Sequence, residues 1–329
     1  MKAMVIVPGK DGGTLDFREI PKPDPQPKEI LMKVKATAVN RADFYQLKGS
    51  YPVQKTSGGS LTVAGLEAAG EVAALGENVS GFKIGDRIMA MCAGGYAEYV
   101  TLDARLAVPV PERLTWEEAA TIPVAFMTEH NALITNARLQ PGETVLVHAA
   151  SSGVGVAAIQ IARFFGAGRV MGTAGGPGKL EALGSLGLDL GIDYRKENFA
   201  DVALAATKGS GVDVVIDHVG GPYLRDNLRC LAVKGRLISV GRLGGATAEL
   251  DMELLAYKRL QLIGVTFRTR TIEERIEIVR RFVVDLIPPL TDGHLRPVID
   301  RVFPLEQALE AQAYMVSKPK VGKIVLKVP

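Results

Sequence analysis

The sequence predicts an α/β protein of two domains, in which a strand-rich domain is combined with a doubly wound parallel sheet of six strands. The chain has 329 residues, which is more than a single hydrophobic core usually fills. From Pro141 onward, short apolar strands alternate with amphipathic helices, and this alternation is typical of parallel sheets with right-handed crossovers. The first 118 residues carry instead short β-branched and apolar runs separated by glycine and proline, which indicate strands and turns.

The strand-rich region contains one predicted short helix. Its predicted strands lie at 30–39, 61–75 and 87–91. The helix is expected to begin near Asn40, because asparagine is a good N-cap residue and the residues before Gly49 suit a helix. Asp43 within this helix is expected to be structural and to pair with Arg41 or Arg87.

The second region opens where Thr115 and Glu118 have the spacing of a helix capping box. Its six predicted strands lie at 144–148, 169–173, 190–194, 212–217, 235–240 and 260–267. The helices predicted between them lie at 154–165, 179–186, 197–208 and 222–231. This order predicts a doubly wound sheet of the dinucleotide-binding, or Rossmann, type.

The C-terminal segment has no place in a six-stranded sheet of that type. It predicts, in order, a helix at 272–286, a strand at 298–303, a helix at 306–316 and a strand at 323–328. We therefore expect it to return to the first domain, which becomes discontinuous (1–118 with 268–329), while 119–267 form the dinucleotide-binding domain.

Composition excludes several classes of function. Hydrophobic residues make up 47% of the chain, charged residues 23%, and the net charge is +3, so neither nucleic acid nor an acidic membrane surface is an expected partner. No apolar run approaches the roughly 20 residues that span a bilayer, and the N-terminus does not resemble a signal peptide. The two cysteines cannot form a disulfide framework. We expect a cytoplasmic protein.

The strongest motif is the glycine-rich turn His148-Ala-Ala-Ser-Ser-Gly-Val-Gly155, which follows the first strand of the predicted sheet. A pyrophosphate needs backbone N–H groups at a helix N-terminus and no side chain in its way. Gly153 and Gly155, on either side of Val154, supply that clearance, and Ser151 and Ser152 add hydroxyl donors. The standard G-x-G-x-x-G is incomplete, because Ala150 and Ser152 replace its first two glycines.

The end of the second predicted strand favours NADPH over NADH. NAD enzymes carry an acid there, about 20 residues after the turn, which binds the ribose 2′-hydroxyl. Here the strand ends at Thr173 and is followed by Gly175 and Lys179 without an acid. Lys179 would attract a 2′-phosphate, and Tyr194 offers a hydroxyl from the end of the next strand. The alternative is that Lys179 is only a solvated residue of a helix start.

A catalytic zinc is not expected. The four histidines and two cysteines show no ligand spacing. In Gly65-Leu66-Glu67, leucine stands where zinc alcohol dehydrogenases carry histidine, and leucine cannot bind zinc. His148 and His218 are expected to be strand-end residues near the cofactor rather than catalytic bases.

Taken together, segments from end to end resemble the zeta-crystallin-like quinone oxidoreductases, a zinc-free branch of the medium-chain dehydrogenase/reductase superfamily. The matching segments are 40–43 with 49–51, 65–70, 81–86, 149–155, 213–217 with 220–221, 267–270 and 322–326. The resemblance implies a GroES-like fold for the strand-rich domain beside the Rossmann domain, together with NADPH as cofactor.

The resemblance also implies roles for individual residues. On the substrate side it implies Asn40, Tyr45 and Tyr51. For cofactor binding it implies Asn40, Thr128, Gly175, Lys179, Tyr194, Gly241, Leu243, Phe267, Arg268 and Lys320, beside the turn residues 151–155, Thr173 and His218. Simpler alternatives remain open: Asn40 as a helix N-cap, Tyr51 as a packed loop aromatic, and Arg268 with Arg270 as a solvated strand end.

These observations predict NADPH-dependent reduction of quinones or related conjugated carbonyls by hydride transfer without zinc. A trans-2-enoyl-thioester reductase of the same superfamily and a non-catalytic NADPH-binding protein are the alternatives. The partners expected are a small-molecule acceptor and a second copy of the chain, since the resemblance suggests a homodimer through the sheet edge near 235–267.

Overall fold

The computed structural model describes residues 1–9, 12–51, 61–317 and 320–329. The chain forms two compact units. The β-rich unit comprises Met1–Met127, Arg268–Pro319 and Lys323–Pro329, and the parallel-sheet unit comprises Thr128–Phe267 with Lys320–Gly322. The described residues contain no helix both long enough and apolar enough to cross a membrane.

The secondary structure consists of strands and helices throughout the described chain. The strands are β1 Lys2–Val7, β2 Thr14–Glu19, β3 Glu29–Ala38, β4 Glu67–Leu75, β5 Arg87–Met91, β6 Tyr99–Asp103, β7 Val108–Pro109, β8 Thr144–Val147, β9 Arg169–Ala174, β10 Leu190–Asp193, β11 Val212–Asp217, β12 Leu231–Ser239, β13 Gln261–Gly264, β14 Ile299–Pro304 and β15 Lys323–Lys327. The helices are α1 Arg41–Leu47, α2 Trp116–Ala119, α3 Ile122–His130, α4 Gly153–Phe164, α5 Pro177–Gly184, α6 Phe199–Ala206, α7 Leu224–Cys230, α8 Met252–Tyr257, α9 Ile272–Asp292 and α10 Ala308–Ser317.

The β-rich unit is built on one sheet with the strand order β14-β15-β3-β4-β5-β7, in which β6 also pairs with β3. The tail strand β15 pairs antiparallel with β3, so the C-terminal segment completes the sheet that the N-terminal residues begin. The core of this unit contains Ile30, Met32 and Val34 from β3, all completely buried. The strands β1 and β2 form a separate hairpin that the sequence patterns did not predict.

The parallel-sheet unit confirms the predicted six-stranded doubly wound sheet. Its order is β10-β9-β8-β11-β12-β13, and all five neighbouring pairs are parallel. Val145, Leu146 and Val147 of the central strand β8 are completely buried, because helices cover both faces of such a sheet. The strand order reverses between β8 and β11. Ligands of doubly wound sheets bind at the carboxyl ends of the strands beside that reversal.

Helix α9 is longer than its sequence predicts. It begins after a Thr271 capping box and continues through Pro288 and Pro289 to Gly293, which ends it with a left-handed φ of 83°. Prolines disfavour a helix interior because they lack an N–H donor, so the sequence predicts an end at 286. The burial of Leu290, beyond both prolines, shows that packing of the apolar face keeps this last turn helical.

Candidate functional site

The turn after β8 has the shape that a dinucleotide phosphate requires. Ser152 is the N-cap of α4, and its hydroxyl oxygen accepts a hydrogen bond from Gly155 N at 3.1 Å. A Cβ on Gly155 would lie 2.5 Å from the Ala149 carbonyl oxygen and 2.6 Å from that of Ala150. Only glycine therefore fits at this position. Residues 151–154 are half-exposed, so their backbone can be reached by a ligand.

A segment near the C-terminus is hydrogen-bonded to the same turn. Gly322 N donates to the Ser151 carbonyl at 2.9 Å, and Gly322 forms an isolated parallel bridge with Ser152. Lys320, two residues earlier and half-buried, belongs to the same short segment of the parallel-sheet unit. The structure thus brings Lys320 into the neighbourhood of the turn after β8.

The ends of β9 and β10 bring together Gly175 and Tyr194, two of the residues predicted to select the cofactor. Ala174 is paired in register with Asp193, so Gly175 and Tyr194 leave the sheet side by side. Tyr194 is 46% exposed, and Lys179, in the first turn of α5, is half-buried. Thr173 is fully buried, and its hydroxyl meets His148 Nδ1 at 3.0 Å.

Sequence reasoning missed Arg195, which follows Tyr194 directly. Its guanidinium lies against Gly175: an ideal Cβ built on Gly175 would be 2.7 Å from Nε, 2.9 Å from Cζ and 3.0 Å from Nη2. The sequence contained a signal for this residue, because Arg195 is a basic residue that stands next to Tyr194 after strand β10. The prediction of cofactor choice from the sequence considered only Lys179, the cation that follows β9.

His148 belongs to a buried network in the parallel-sheet unit. Its Nε2 meets Asn227 Oδ1 at 2.6 Å, and Asn227 Nδ2 donates to Asp217 at 3.3 Å. The ring packs edge-on against Phe199 and Tyr223. Burial lowers the pKa of His148 to about 4, so the ring is neutral at pH 7. Both ring nitrogens are engaged within the protein, which makes His148 a brace for the start of the turn.

His218 continues this network at the end of β11. Its Nδ1 meets the His148 carbonyl at 2.8 Å, and its Nε2 meets Glu129 Oε1 at 2.9 Å. Burial by itself lowers the pKa of His218, but the Glu129 charge and the hydrogen bond to it raise the pKa, and the net direction is upward. The whole residue is only 3% exposed, and both ring nitrogens have partners within the protein.

The loop after β12 lies against that backbone. Leu243 N donates to the His218 carbonyl at 3.2 Å, and a Cβ on Gly241 would be 2.5 Å from the same oxygen. The structure therefore brings His218, Gly241 and Leu243 together. Thr128, also predicted to contact the cofactor, is 9% exposed on α3, and Phe267 is half-buried at the last position of this part of the unit.

In the β-rich unit, Asn40 is held by two charged residues far away in sequence. Asn40 Nδ2 donates to Glu67 Oε1 at 2.8 Å and to the Ala38 carbonyl at 3.1 Å. Lys323 Nζ donates to Asn40 Oδ1 at 2.6 Å and to Glu67 Oε1 at 2.7 Å. The other oxygen of Glu67 accepts from Val124 N in the first turn of α3 at 2.8 Å. Sequence reasoning missed both Glu67 and Lys323 as partners of Asn40.

Asp43 lies in the same buried region, and the pairing predicted for it is wrong. Its partner is Tyr96, whose hydroxyl donates to Asp43 Oδ2 at 2.6 Å, while Asn40 N donates to the same oxygen at 2.7 Å. Arg87 instead donates to backbone carbonyls near Leu114 and stacks on Trp116. Burial raises the pKa of Asp43 to about 7.

The two tyrosines predicted on the substrate side differ in surroundings. Tyr45, on α1, is 38% exposed. Tyr51 is half-buried, and the guanidinium of Arg268 lies 5.8 Å from the centre of its ring. Burial raises the pKa of Tyr51 above its ordinary value, although Arg268 and Arg275 lower it. Tyr51 therefore keeps its proton at neutral pH.

Metal ligands are absent from the part of the chain that the structure describes: no group of three histidine, cysteine, aspartate or glutamate side chains is placed to hold a metal ion. Cys92 is buried, and burial raises the pKa of its thiol to about 12. Cysteine binds zinc as the thiolate, so this buried thiol, with no metal-ligand group around it among the described residues, is a poor donor. Residues 52–60, which lie outside the described ranges, contain no residue of these four types.

A doubly wound parallel sheet with a glycine-rich turn after its first strand is the arrangement that binds dinucleotides in many enzymes. Comparison with known families agrees. Residues 26–112 match the family described as "Alcohol dehydrogenase GroES-like domain", and residues 153–283 match "Zinc-binding dehydrogenase". The chain belongs to the medium-chain dehydrogenase/reductase superfamily.

Curated relatives include both free-standing enzymes and parts of larger ones. Human quinone oxidoreductase is 33% identical over 314 residues, which cover 94% of this chain and 92% of the relative. A polyketide synthase subunit of Mycobacterium tuberculosis, named for phenolphthiocerol and phthiocerol, is 33% identical over 96% of this chain. The match spans only 14% of that relative's length.

Solved structures with the same fold carry different names. A mycobacterial protein solved in complex with NADPH superposes with a TM-score of 0.89 at 29% identity, covering 99% of this chain and 100% of that one. The CurK enoyl reductase has a TM-score of 0.84 at 29% identity, covering 99% of each chain. An NAD-dependent alcohol dehydrogenase has a TM-score of 0.85 at 31% identity, covering 100% of each chain.

Proposed function

We propose that this oxidoreductase uses NADPH to reduce quinones or related conjugated carbonyls, without zinc. The observation that carries the proposal is the end of β9, where a half-buried lysine stands and an acid is missing. NADPH and NADH differ only by the 2′-phosphate that would lie there, so the charge at this strand end decides between them.

The choice of NADPH rests on which side chains follow β9. The strand ends at Ala174 and continues as Gly-Gly-Pro-Gly before Lys179, so no carboxylate is available for a ribose 2′-hydroxyl. Asp193, at the end of the neighbouring β10, is only 8% exposed. Its Oδ1 accepts a hydrogen bond from Arg195 N at 3.2 Å. It is committed to its own turn, which leaves Lys179 and Tyr194 to meet the cofactor.

Acceptor reduction needs little acid–base chemistry from the protein. Bound NADPH supplies the hydride, and a quinone that accepts it leaves a stabilised phenolate. We assign Asn40, Tyr45 and Tyr51 to the substrate side. Because the amide of Asn40 is engaged by Lys323 and Glu67, its role is to position, and Tyr51 is the better hydrogen-bond donor to the developing oxyanion.

The residues present do not fit a catalytic zinc, although one of the matching families is named for it. Leu66 offers no ligand atom, and the Cys92 thiol is buried and protonated. Electrostatic stabilisation of the acceptor oxygen is therefore assigned to hydrogen bonds, and no step is assigned to a metal.

A second candidate is reduction of a trans-2-enoyl thioester. It is favoured by the similarity to an enoyl reductase structure and to a segment of polyketide synthases. The same fold and cofactor serve both reactions, so only the acceptor distinguishes them.

Assembly and location also belong to this proposal. Within the described residues, strand β13 pairs with β12 alone and so forms an edge of the parallel sheet, with Leu262 40% exposed. An exposed edge of this kind favours pairing with a second copy. We propose a homodimer through β13 and a cytoplasmic location.

The test is a screen of NADPH oxidation, followed at 340 nm, against 1,4-benzoquinone, 9,10-phenanthrenequinone, trans-2-hexenal and crotonyl-coenzyme A. We expect the highest kcat/KM with a quinone. A higher value with crotonyl-coenzyme A selects the enoyl-thioester reaction. Tight NADPH binding without turnover of any acceptor selects the non-catalytic alternative and overturns the proposal.

A further inference from the structure

Arg195 lies against Gly175, at the strand end where the proposed function requires the 2′-phosphate of the cofactor. It is exposed, and it follows Tyr194 at the end of β10. Its guanidinium covers the backbone of Gly175 at the end of β9, with Nε 2.7 Å from the position that a Cβ would occupy there. The head group of Arg195 therefore lies across the ends of two neighbouring strands.

The local backbone fixes this arrangement. Asp193 Oδ1 accepts from Arg195 N at 3.2 Å, and the Asp193 carbonyl accepts from Lys196 N at 2.9 Å and from Glu197 N at 3.1 Å. This tight turn directs Arg195 back toward β9. At Gly175 the absence of a side chain leaves the space that the guanidinium fills.

The charge of Arg195 is not neutralised by the protein. Three other arginines of the parallel-sheet unit pair with carboxylates: Arg163 with Asp189, Arg229 with Asp201 and Arg236 with Glu143. Among the described residues, neither the guanidinium of Arg195 nor the ammonium of Lys179 makes such a pair. Gly175, against which the Arg195 guanidinium lies, and Lys179 both follow β9, so two cations without a carboxylate partner in the described part of the chain flank the end of this strand.

We propose that Arg195 is a specificity-determining residue that binds the 2′-phosphate of NADPH, with Lys179 as the second cation. Guanidinium presents two parallel N–H donors that match two phosphate oxygens, whereas a lysine ammonium acts as a point charge. This inference rests on the proposed function, because it requires the dinucleotide to lie across the carboxyl ends of β8 and β9. It adds the residue that discriminates NADPH from NADH.

Arg195 has one competing role, which is to stack its flat guanidinium on the adenine ring. Both nucleotides carry adenine, so a stacking residue supports NADH and NADPH equally. The 2′-phosphate is present only in NADPH. The ratio of the two dissociation constants therefore separates the two roles.

The experiment measures dissociation constants of NADPH and NADH by fluorescence titration for the wild type and for Arg195→Ala, Arg195→Lys and Lys196→Ala. We expect Arg195→Ala to weaken NADPH binding about ten- to a hundredfold, as loss of a charge-assisted hydrogen-bonded pair predicts, and to change NADH binding less than about twofold. Arg195→Lys is expected to lie between. Lys196→Ala removes the same charge from the adjacent exposed residue and is expected to resemble the wild type.

Three results would contradict the inference. An equal loss for both nucleotides identifies adenine stacking, and no loss for either shows that Arg195 does not contact the cofactor; in both cases a wild-type preference for NADPH leaves the proposed function standing. A wild type that binds neither nucleotide overturns the inference and the proposed function together. Binding of 2′,5′-ADP and 5′-AMP repeats the test without a nicotinamide.

Discussion

Two lysines, Lys323 in the β-rich unit and Lys179 in the parallel-sheet unit, have contrasting surroundings. Lys323 in the β-rich unit is 7% exposed and donates to Glu67, Asn40 and the Val39 carbonyl at 2.7, 2.6 and 3.2 Å. Lys179 in the parallel-sheet unit is half-buried and has no carboxylate partner among the described residues. A buried charge must be paired inside the protein, because it has lost its water. A charge that the protein leaves unpaired near the surface is available to a ligand.

This difference teaches how to separate a structural cation from a binding one. The polar residues around Lys323 satisfy one another, so their removal is expected to damage folding first. The ammonium of Lys179 has no carboxylate partner among the described residues, and its removal is expected to damage ligand binding alone. Stability and affinity should therefore respond in opposite ways to the two sets of substitutions.

The largest effect is expected from Lys323→Met. The change leaves the Glu67 carboxylate buried without its cation, and an uncompensated buried charge typically destabilises by about 3–5 kcal/mol. The measurement is the free energy of unfolding from urea denaturation. Lys327→Met is the matched control, because Lys327 pairs with Glu117 while 66% of its side chain is exposed, and a surface pair contributes about 0–1 kcal/mol. Equal losses of unfolding free energy for Lys323→Met and Lys327→Met would contradict the structural role assigned to the buried Lys323.

A second prediction concerns the pH dependence of stability that a buried group of the β-rich unit, Asp43, produces. Burial raises the folded-state pKa of Asp43 to about 7, whereas an unfolded aspartate titrates near about 3.9. The folded protein therefore holds the proton more tightly. The stability associated with this group is fully present below pH 4, is lost as the pH rises toward 7, and stays level above that. The size of the loss is at most about 4 kcal/mol.

Asp43→Asn provides the comparison for this prediction. The amide oxygen can still accept from Tyr96 and from the Asn40 backbone, but it does not titrate. Unfolding free energies of both proteins at pH 5 and pH 8 should show a larger loss for the wild type between the two values. Parallel pH profiles would mean that Asp43 is not the titrating group.

The smallest change in stability is expected in the parallel-sheet unit, for substitution of Lys179. Lys179→Met should leave the free energy of unfolding within about 0.5 kcal/mol of the wild type, as surface substitutions usually do. Its NADPH dissociation constant should rise about tenfold, since one charged contact to a phosphate is lost, and that of NADH should not change. A destabilisation comparable to that of Lys323→Met would make Lys179 structural.

Local patterns predicted much of the fold. The capping box at Thr115 and Glu118 is present, and helix α1 begins directly after Asn40. The six parallel strands were recognised because buried strands and amphipathic helices differ in period. The additional length of α9 was not predictable from propensity, because burial of residues beyond Pro289 overrides the cost of its missing N–H.

The site was less predictable, because its contacts join residues that are distant in sequence. The hydrogen bond between Tyr96 and Asp43 spans 53 positions, and the bond between Lys323 and Glu67 spans 256. No periodicity or motif links such pairs. The glycine-rich turn was found because its residues are consecutive, and Arg195 was missed because its relation to Gly175 exists only across two strands of the folded sheet.

Calorimetric titration of the wild-type protein with NADPH and with NADH, at one ionic strength, tests the central claim most directly. The arrangement at the ends of β9 and β10 predicts that NADPH binds at least about tenfold more tightly, because charge-assisted contacts to its 2′-phosphate have no counterpart in NADH. Equal affinities, or tighter binding of NADH, would contradict the assignment of these cations to a phosphate.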